Sequence, residues 1–172
     1  MVNFPDYAAV YAEYVVARPR HLARKPAGID HVQAAALPMP ALTALQAFSD
    51  IVEISPGQRV LVHAAAGGVG PMGKGQDYPL RSLRVLRPGG TYIAGSGISP
   101  EDRAAYDRAG MRYGLFSVEP DHAALAEIAA LAADGRLVAH VDRVFPLADA
   151  AKAHAVMEGG DFIGKLVLSV AG

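Results

Sequence analysis

Short strand-like segments alternate with helical segments along most of this chain, and this alternation constrains its fold more than any other feature. Residues 59–63 (RVLVH) form an apolar run between turn residues, which is typical of a parallel strand covered on both faces. Strands that alternate with helices of this length indicate an α/β fold with a largely parallel sheet. The other predicted strands are residues 10–16, 91–94, 111–118, 139–145 and 165–170.

Start and stop signals place the helices between these strands. Asp30, three residues before Gln33, resembles a capping box and opens a short helix that Pro38 and Pro40 are predicted to end. Apolar residues at helical spacing then predict a buried helix over residues 41–54. The remaining predicted helices are residues 80–86, 99–110, 120–133 and 148–158.

Composition excludes several classes of function. The 172 residues are 52% hydrophobic and 19% charged, which is enough for one sizeable core and favours a single compact unit. A net charge of -1 argues against nucleic acid or a membrane surface as a partner. The chain has no cysteine and no closely spaced histidine pair, so no metal site is predicted. The first residues carry no export signal, and we expect a cytoplasmic protein.

A glycine-rich loop follows the strand predicted at residues 59–63. Residues 64–70 read AAAGGVG, and glycines at such a strand end let the backbone approach a pyrophosphate. A glycine-rich turn without a ligand explains the loop alone equally well. Residues 68–74 also spell most of a P-loop, but Gly75 stands where a magnesium-binding Ser or Thr belongs, so nucleoside triphosphate binding is not favoured.

The neighbouring motifs favour a dinucleotide site. The segments AEYVV, ALPMPALTALQAF, PGQRVLVHAAAGGVG, RSLRVLRPGGTYIAGSG and FIGKLVLSV follow one another along the chain. Together they resemble the quinone oxidoreductase branch of the medium-chain dehydrogenase/reductase superfamily, the zinc-free relatives of zeta-crystallin. The resemblance implies NADP(H)-dependent reduction of a quinone, an enone or a similar activated carbonyl compound. It also implies a Rossmann domain beside a GroES-like barrel.

Two departures from this family pattern shape the expected fold. The chain begins almost at the AEYVV segment, so most of the family's N-terminal barrel is expected to be absent. After Gly70, residues 71–79 (PMGKGQDYP) replace a long helix and several strands, and two prolines and two glycines prevent that helix. We therefore expect a truncated Rossmann-like parallel sheet flanked by helices, with a remnant of the GroES-like domain.

The same comparison predicts the domain organisation within the single unit of residues 1–172. Residues 1–40 and 136–172 correspond to the barrel side, and residues 41–135 to the truncated dinucleotide-binding part, with an atypical junction at residues 71–79.

The resemblance also implies a set of cofactor contacts, and no catalytic acid can be named. Phe116 is equally well explained as a core aromatic residue, and Lys165 as a solvated charge at a strand edge. The predicted cofactor-binding residues are Thr43, Ala64, Gly67, Gly68, Gly70, Gly95, Ser96, Gly97, Phe116 and Lys165.

Binding of NADP(H) is predicted to be weak, because the helix that would follow the glycine loop is lost. A small-molecule substrate and a homodimer are the expected partners, since the shortened sheet leaves an apolar edge that self-association would cover. Two alternatives remain open: a non-redox protein on the same scaffold, either an isomerase or cyclase or a binding module, and an inactive deletion fragment.

Overall fold

The computed structural model describes residues 9–63, 78–94 and 97–170. Helices and parallel strands alternate through these ranges, so the chain has the α/β fold class predicted from its sequence. The α-helices are α1 (His31–Ala36), α2 (Pro38–Gln46), α3 (Tyr78–Leu83), α4 (Pro100–Arg108), α5 (His122–Ala133) and α6 (Ala150–Gly159). The strands are β1 (Thr91–Ala94), β2 (Arg112–Leu115), β3 (Val141–Pro146) and β4 (Lys165–Ser169).

The chain divides into two compact units. The first unit comprises Met1–Ala44, Val62–Gly70 and Val118–Gly172, and the second comprises Leu45–Leu61 and Pro71–Ser117. The domain boundaries expected from the sequence stay a prediction.

The second unit is built on the parallel strands β1 and β2. Their register runs from Thr91 opposite Arg112 to Ala94 opposite Leu115. Helix α3 packs against β1, and α4 packs against both α3 and β2. This arrangement places the carboxyl ends of two neighbouring strands at one edge of the sheet.

The first unit contains the parallel pair β3 and β4. A bulge at Asp142 shifts the register, so that Val141 pairs with Lys165 and Arg143 pairs with Leu166. Helices α1 and α6 both pack against this pair. The core includes Leu42, Leu125, Ile128 and Val167, all of which are buried.

Side-chain caps explain where the helices begin. The Asp30 carboxylate accepts a hydrogen bond from the Gln33 backbone at 2.7 Å, which confirms the predicted start of α1. Ser99 caps α4 through the Asp102 backbone at 3.0 Å, as its sequence predicted. Asp121 caps α5 by accepting from two backbone N–H groups. These caps satisfy amide groups that the first helical turn leaves without partners.

Two predicted strands are wrong. Residues 10–16 and 59–63 have the composition of strands, yet in the part of the chain that the structure describes neither segment forms a ladder with another strand. Val60, Leu61 and Val62 are all more than half exposed. Strand propensity reflects the fit to a half-buried pleated surface, and neither segment has such a neighbour among the described residues.

The helix boundaries near Pro38 also differ from the prediction. Pro38 begins α2 and Pro40 lies in its first turn. The first backbone N–H groups of a helix have no acceptor within that helix, so a proline there loses no helical hydrogen bond. The α-helix predicted over residues 41–54 is shorter than expected at its carboxyl end. Helix α2 ends at Gln46, and a π-helical turn, Ala47–Ile51, follows it.

Candidate functional site

The predicted cofactor contacts fall into two groups. Thr43, Gly97, Phe116 and Lys165 belong to the part of the chain that the structure describes. Thr43 and Lys165 lie in the first unit, whereas Gly97 and Phe116 lie in the second. The remaining six, namely Ala64, Gly67, Gly68, Gly70, Gly95 and Ser96, lie outside the described residues, as do the predicted glycine loop and most of the 71–79 junction.

Gly97 and Phe116 follow the carboxyl ends of adjacent parallel strands. Ala94, the last residue of β1, pairs with Leu115, the last residue of β2. Phe116 follows Leu115 directly, and Gly97 comes three residues after Ala94. Ligands of open α/β sheets bind outside the carboxyl ends of the strands. We call this end of the β1–β2 sheet, marked by Gly97 and Phe116, the candidate edge.

The surroundings of Gly97 leave room at the candidate edge. Among the described residues, no atom lies within 4 Å of a Cβ atom built on Gly97, and the residue is exposed with an ordinary φ angle. Neither packing nor backbone conformation therefore requires glycine at this position. Glycine also serves where a ligand approaches the backbone closely, and the open space at Gly97 permits that role.

Three tyrosines support the two strands that lead to this edge. Tyr92 of β1 and Tyr113 of β2 are register partners, and both rings contact Tyr106 of α4, at centroid distances of 5.6 and 6.2 Å. Tyr106 is fully buried, and its hydroxyl donates to the Pro79 carbonyl oxygen at 2.7 Å. This cluster was not among the predicted site residues, although tyrosines in two neighbouring predicted strands were a signal for it.

Burial changes the acidity of two of these phenols. Burial raises the pKa of Tyr106 to about 12, with smaller contributions from Tyr92 and the Asp102 carboxylate. Burial, followed by Asp102, also raises the pKa of Tyr92. Both hydroxyls are therefore protonated at neutral pH, and the cluster acts as a packed support for β1 and β2.

The hydroxyl group of Thr43 is engaged within its own helix. Its Oγ1 donates to the Met39 carbonyl oxygen, one turn earlier in α2, at 2.7 Å. Bonds of this kind are common for threonine in helices. The hydroxyl oxygen keeps its capacity to accept a hydrogen bond from a ligand.

Lys165 begins β4 beside the bulge in β3. Its backbone N–H donates to the His140 carbonyl oxygen at 2.9 Å, and its side chain is half-buried. Burial lowers the pKa of the ammonium group, and within the described ranges this group has no ion pair. A half-buried cation of this kind is suited to an anionic ligand.

A close backbone contact, an ion pair and two hydrogen bonds hold the loop before Lys165. A Cβ on Gly164 would lie 2.3 Å from the His140 carbonyl oxygen, so only glycine allows this approach. Asp142, at the bulge, pairs with Arg143 at 2.7 Å and accepts from the Ile163 N–H at 3.3 Å. The Arg143 guanidinium also donates to the Asp161 carbonyl oxygen. The interaction with Arg143 lowers the pKa of Asp142.

No group of three His, Asp or Glu side chains placed to hold a metal ion occurs in the described ranges. No helix within those ranges is long and apolar enough to cross a bilayer.

Parallel strands flanked by helices define this chain as an α/β protein. Residues 60–168, more than half of the chain, match the model of the family described as zinc-binding dehydrogenase. The chain belongs to this family, and thus to the medium-chain dehydrogenase/reductase superfamily that the sequence motifs predicted.

Individual relatives agree with this assignment. The structure of the quinone oxidoreductase from Coxiella burnetii is 25% identical, with a TM-score of 0.88 over 99% of this chain and 70% of that chain. The pikromycin polyketide synthase component PikAII of Streptomyces venezuelae is 48% identical over 63 residues, which are 37% of this chain and 2% of the relative. The chain therefore corresponds to a small part of that curated relative.

A third relative reveals an internal difference in length. The spectinabilin polyketide synthase system protein NorB of Streptomyces orinoci is 29% identical over 219 residues, covering 90% of this chain and 10% of the relative. An alignment of 219 positions exceeds the 172 residues of this chain. This relative therefore has residues within the aligned region that the present chain lacks.

Proposed function

We propose that this chain is a zinc-independent, NADP(H)-dependent oxidoreductase of the quinone oxidoreductase type, acting in the cytoplasm. Its substrate would be a quinone, an enone or a similarly activated carbonyl compound. Family membership and the likeness to the Coxiella burnetii quinone oxidoreductase support this proposal. The observation that carries it is the candidate edge, where Gly97 and Phe116 follow adjacent parallel strands beside open space.

The residues at the candidate edge fit part of a dinucleotide. The Gly97 backbone can lie against the ligand because no side chain intervenes, and the half-exposed Phe116 ring offers an apolar contact. Thr43 and Lys165 stay proposed contacts, Thr43 as a hydrogen-bond acceptor and Lys165 as a cation for an anionic group. When bound, the nicotinamide supplies the hydride chemistry, and the protein binds and orients it.

One observation favours a non-redox protein as the second candidate. Residues 59–62 lie one residue before the glycine-rich segment, yet they form no strand and are exposed. Dinucleotide sites of the Rossmann type place their glycine loop at the end of a paired strand. A chain without that strand should hold the cofactor weakly or not at all, which suits a binding module or an enzyme without redox chemistry.

Cofactor titration with two matched glycine variants tests the binding site. We expect NADPH to bind the wild-type chain weakly and to raise its melting temperature at millimolar concentration. Gly97→Val should reduce the affinity by about tenfold or more, because the side chain would occupy the ligand's approach. Gly28→Val is the control, since Gly28 is also exposed, open and without positive φ. Equal effects of both variants on affinity would show that Gly97 is not a contact.

A turnover assay separates the two functional classes. Oxidation of NADPH that depends on an added quinone or enone, and that falls with Gly97→Val, supports the oxidoreductase. Binding of NADPH without turnover of any tested acceptor would favour the non-redox protein. Absence of both binding and turnover at millimolar NADPH would contradict the proposal.

A further inference from the structure

Three exposed arginines lie at the amino-terminal end of the β1–β2 sheet, opposite the candidate edge. The Gly90 N–H donates to the Arg87 carbonyl oxygen at 2.8 Å, and the Gly90 carbonyl accepts from the Arg112 N–H at 2.9 Å. One glycine thus joins the backbones of Arg87 and Arg112, and Arg84 lies three residues before Arg87, directly after the end of α3. We call Arg84, Arg87 and Arg112 the arginine edge.

The charges of the arginine edge have no partner in the same molecule, as far as the described ranges extend. The ion pairs found there join Arg143 to Asp142 and Lys152 to Asp149. Another arginine of this unit, Arg103, lies over the Tyr113 ring at 5.8 Å, so it has an internal role that the arginine edge lacks. The adjacent residues Asp107 and Arg108 at the end of α4 carry opposite charges.

An exposed apolar side chain belongs to the same stretch of the chain as two of these arginines. Val85 is 63% exposed and stands between Arg84 and Arg87 in the sequence. Surfaces that bind proteins combine arginines with an apolar centre, and arginine is frequent among the residues that dominate binding energy. A small apolar side chain among arginines therefore has the character of a protein-binding surface.

We propose that the arginine edge is a docking surface for the acidic face of a partner protein. A partner of this charge complements the three guanidinium groups, which pair with carboxylates in bidentate geometry. A nucleic acid fits less well, because the whole chain has a net charge of -1 and its long-range field does not attract a polyanion.

The location of the arginine edge keeps it clear of the candidate edge. Thr91 and Arg112 are the first residues of β1 and β2, whereas Gly97 and Phe116 follow their last residues. Four-residue strands separate the two ends by roughly 10 Å. A bound partner would therefore leave the carboxyl end of the sheet open.

Two charge-reversed variants of equal net charge test this proposal. The probe is a fluorescent, glutamate-rich peptide with a central leucine, and its affinity is measured by anisotropy at low and physiological salt. The triple variant Arg84→Glu, Arg87→Glu, Arg112→Glu should bind the probe about tenfold or more weakly than wild type. The control variant is Arg18→Glu, Arg24→Glu, Arg136→Glu, whose three arginines are also exposed and lie in the first unit. The affinity of this control variant for the probe should fall by no more than about twofold.

Further measurements make the outcome decisive. Circular dichroism confirms that both variants are folded, and Val85→Ala should weaken binding of the leucine peptide more than binding of its alanine counterpart. Equal losses of affinity in the two triple variants would show that binding depends on net charge alone, and would overturn the proposal. Tighter binding of duplex DNA or of phosphatidylserine vesicles than of the peptide would overturn it as well.

Discussion

Gly164 allows two backbone segments of the first unit to meet. Its φ angle is +84°, a region that side chains disfavour, and the His140 carbonyl oxygen occupies the place of a Cβ. This glycine belongs to the FIGK motif that carried part of the family resemblance. Its role in the described structure is to bring Lys165 into register with β3, so the motif has a structural reason independent of any ligand.

Gly164→Ala should destabilise the protein through both strain and steric overlap. Gly160→Ala isolates the strain, because Gly160 has a φ angle of +71° but open space around it. We expect a loss of about 1 kcal/mol for Gly160→Ala. Overpacking against the His140 carbonyl should add a further loss of about 1–3 kcal/mol for Gly164→Ala. Urea unfolding measures both values, and equal losses would contradict the close approach.

Tyr106→Phe should change both the stability of the protein and its dependence on pH. Loss of the hydrogen bond to Pro79 should cost about 1 kcal/mol at neutral pH. The pKa of Tyr106 is raised from 10.0 to about 12, so its contribution is complete below pH 10 and is lost as the pH rises through 12. The variant should therefore lose less stability than wild type over that interval.

Thermal unfolding at several alkaline pH values measures this difference. Tyr14→Phe is the control, because Tyr14 is 92% exposed and should leave the curve unchanged. A Tyr106→Phe curve parallel to the wild-type curve would contradict the assignment. Some alkaline loss remains in the variant, since the pKa of Tyr92 is raised as well.

At the scale of elements, local capping and tertiary pairing have different consequences. Helices α1, α4 and α5 begin at side chains that their own sequences supply, so they form where the sequence predicts. Residues 59–62 carry a strand-like sequence, yet a strand also needs a neighbouring strand to accept and donate its hydrogen bonds. Without that neighbour the segment stays exposed.

Two leucine-to-alanine variants should test this difference. Leu42 in α2 is fully buried, whereas Leu61 is 63% exposed. Leu42→Ala should reduce the free energy of unfolding by about 2–5 kcal/mol through the cavity it leaves. Leu61→Ala should change it by less than about 0.5 kcal/mol. Comparable losses, measured by urea unfolding, would show that residues 59–62 are buried in a strand after all.

For the whole molecule, the distribution of apolar surface bears on assembly. Large apolar side chains are exposed in several places, including Tyr14 at 92%, Val138 at 72% and Leu61 at 63%. The two-stranded sheets also leave strand edges without partners in the described ranges. Exposed apolar surface and open sheet edges both favour association between chains.

We therefore propose a homodimer in solution, which light scattering after size exclusion tests directly. The expected mass is twice the 18.0 kDa of the chain, and the unfolding temperature should rise with protein concentration. The triple variant of the arginine edge should keep this mass, because that surface is assigned to a different partner. A folded monomer at high concentration would contradict the homodimer.

The sequence by itself determined the fold class, the starts of α1 and α4, and four of the strands. Asp30 and Ser99 cap their helices through bonds within a few residues, and such local signals are complete in the sequence. The order of strands and helices also predicted a parallel α/β arrangement, because the connections between consecutive elements allow few topologies. The family followed from motifs such as PGQRVLVHAAAGGVG and FIGKLVLSV, read in order along the chain.

Tertiary structure alone decided which apolar segments become strands and which side chains are brought together. Residues 59–63 read as a strand, but pairing depends on a distant segment that sequence periodicity does not reveal. The contact of Tyr106 with Pro79, and the approach of Gly164 to His140, join residues far apart in the chain. Long-range contacts of this kind depend on how whole elements pack, so no local pattern in the sequence could specify them.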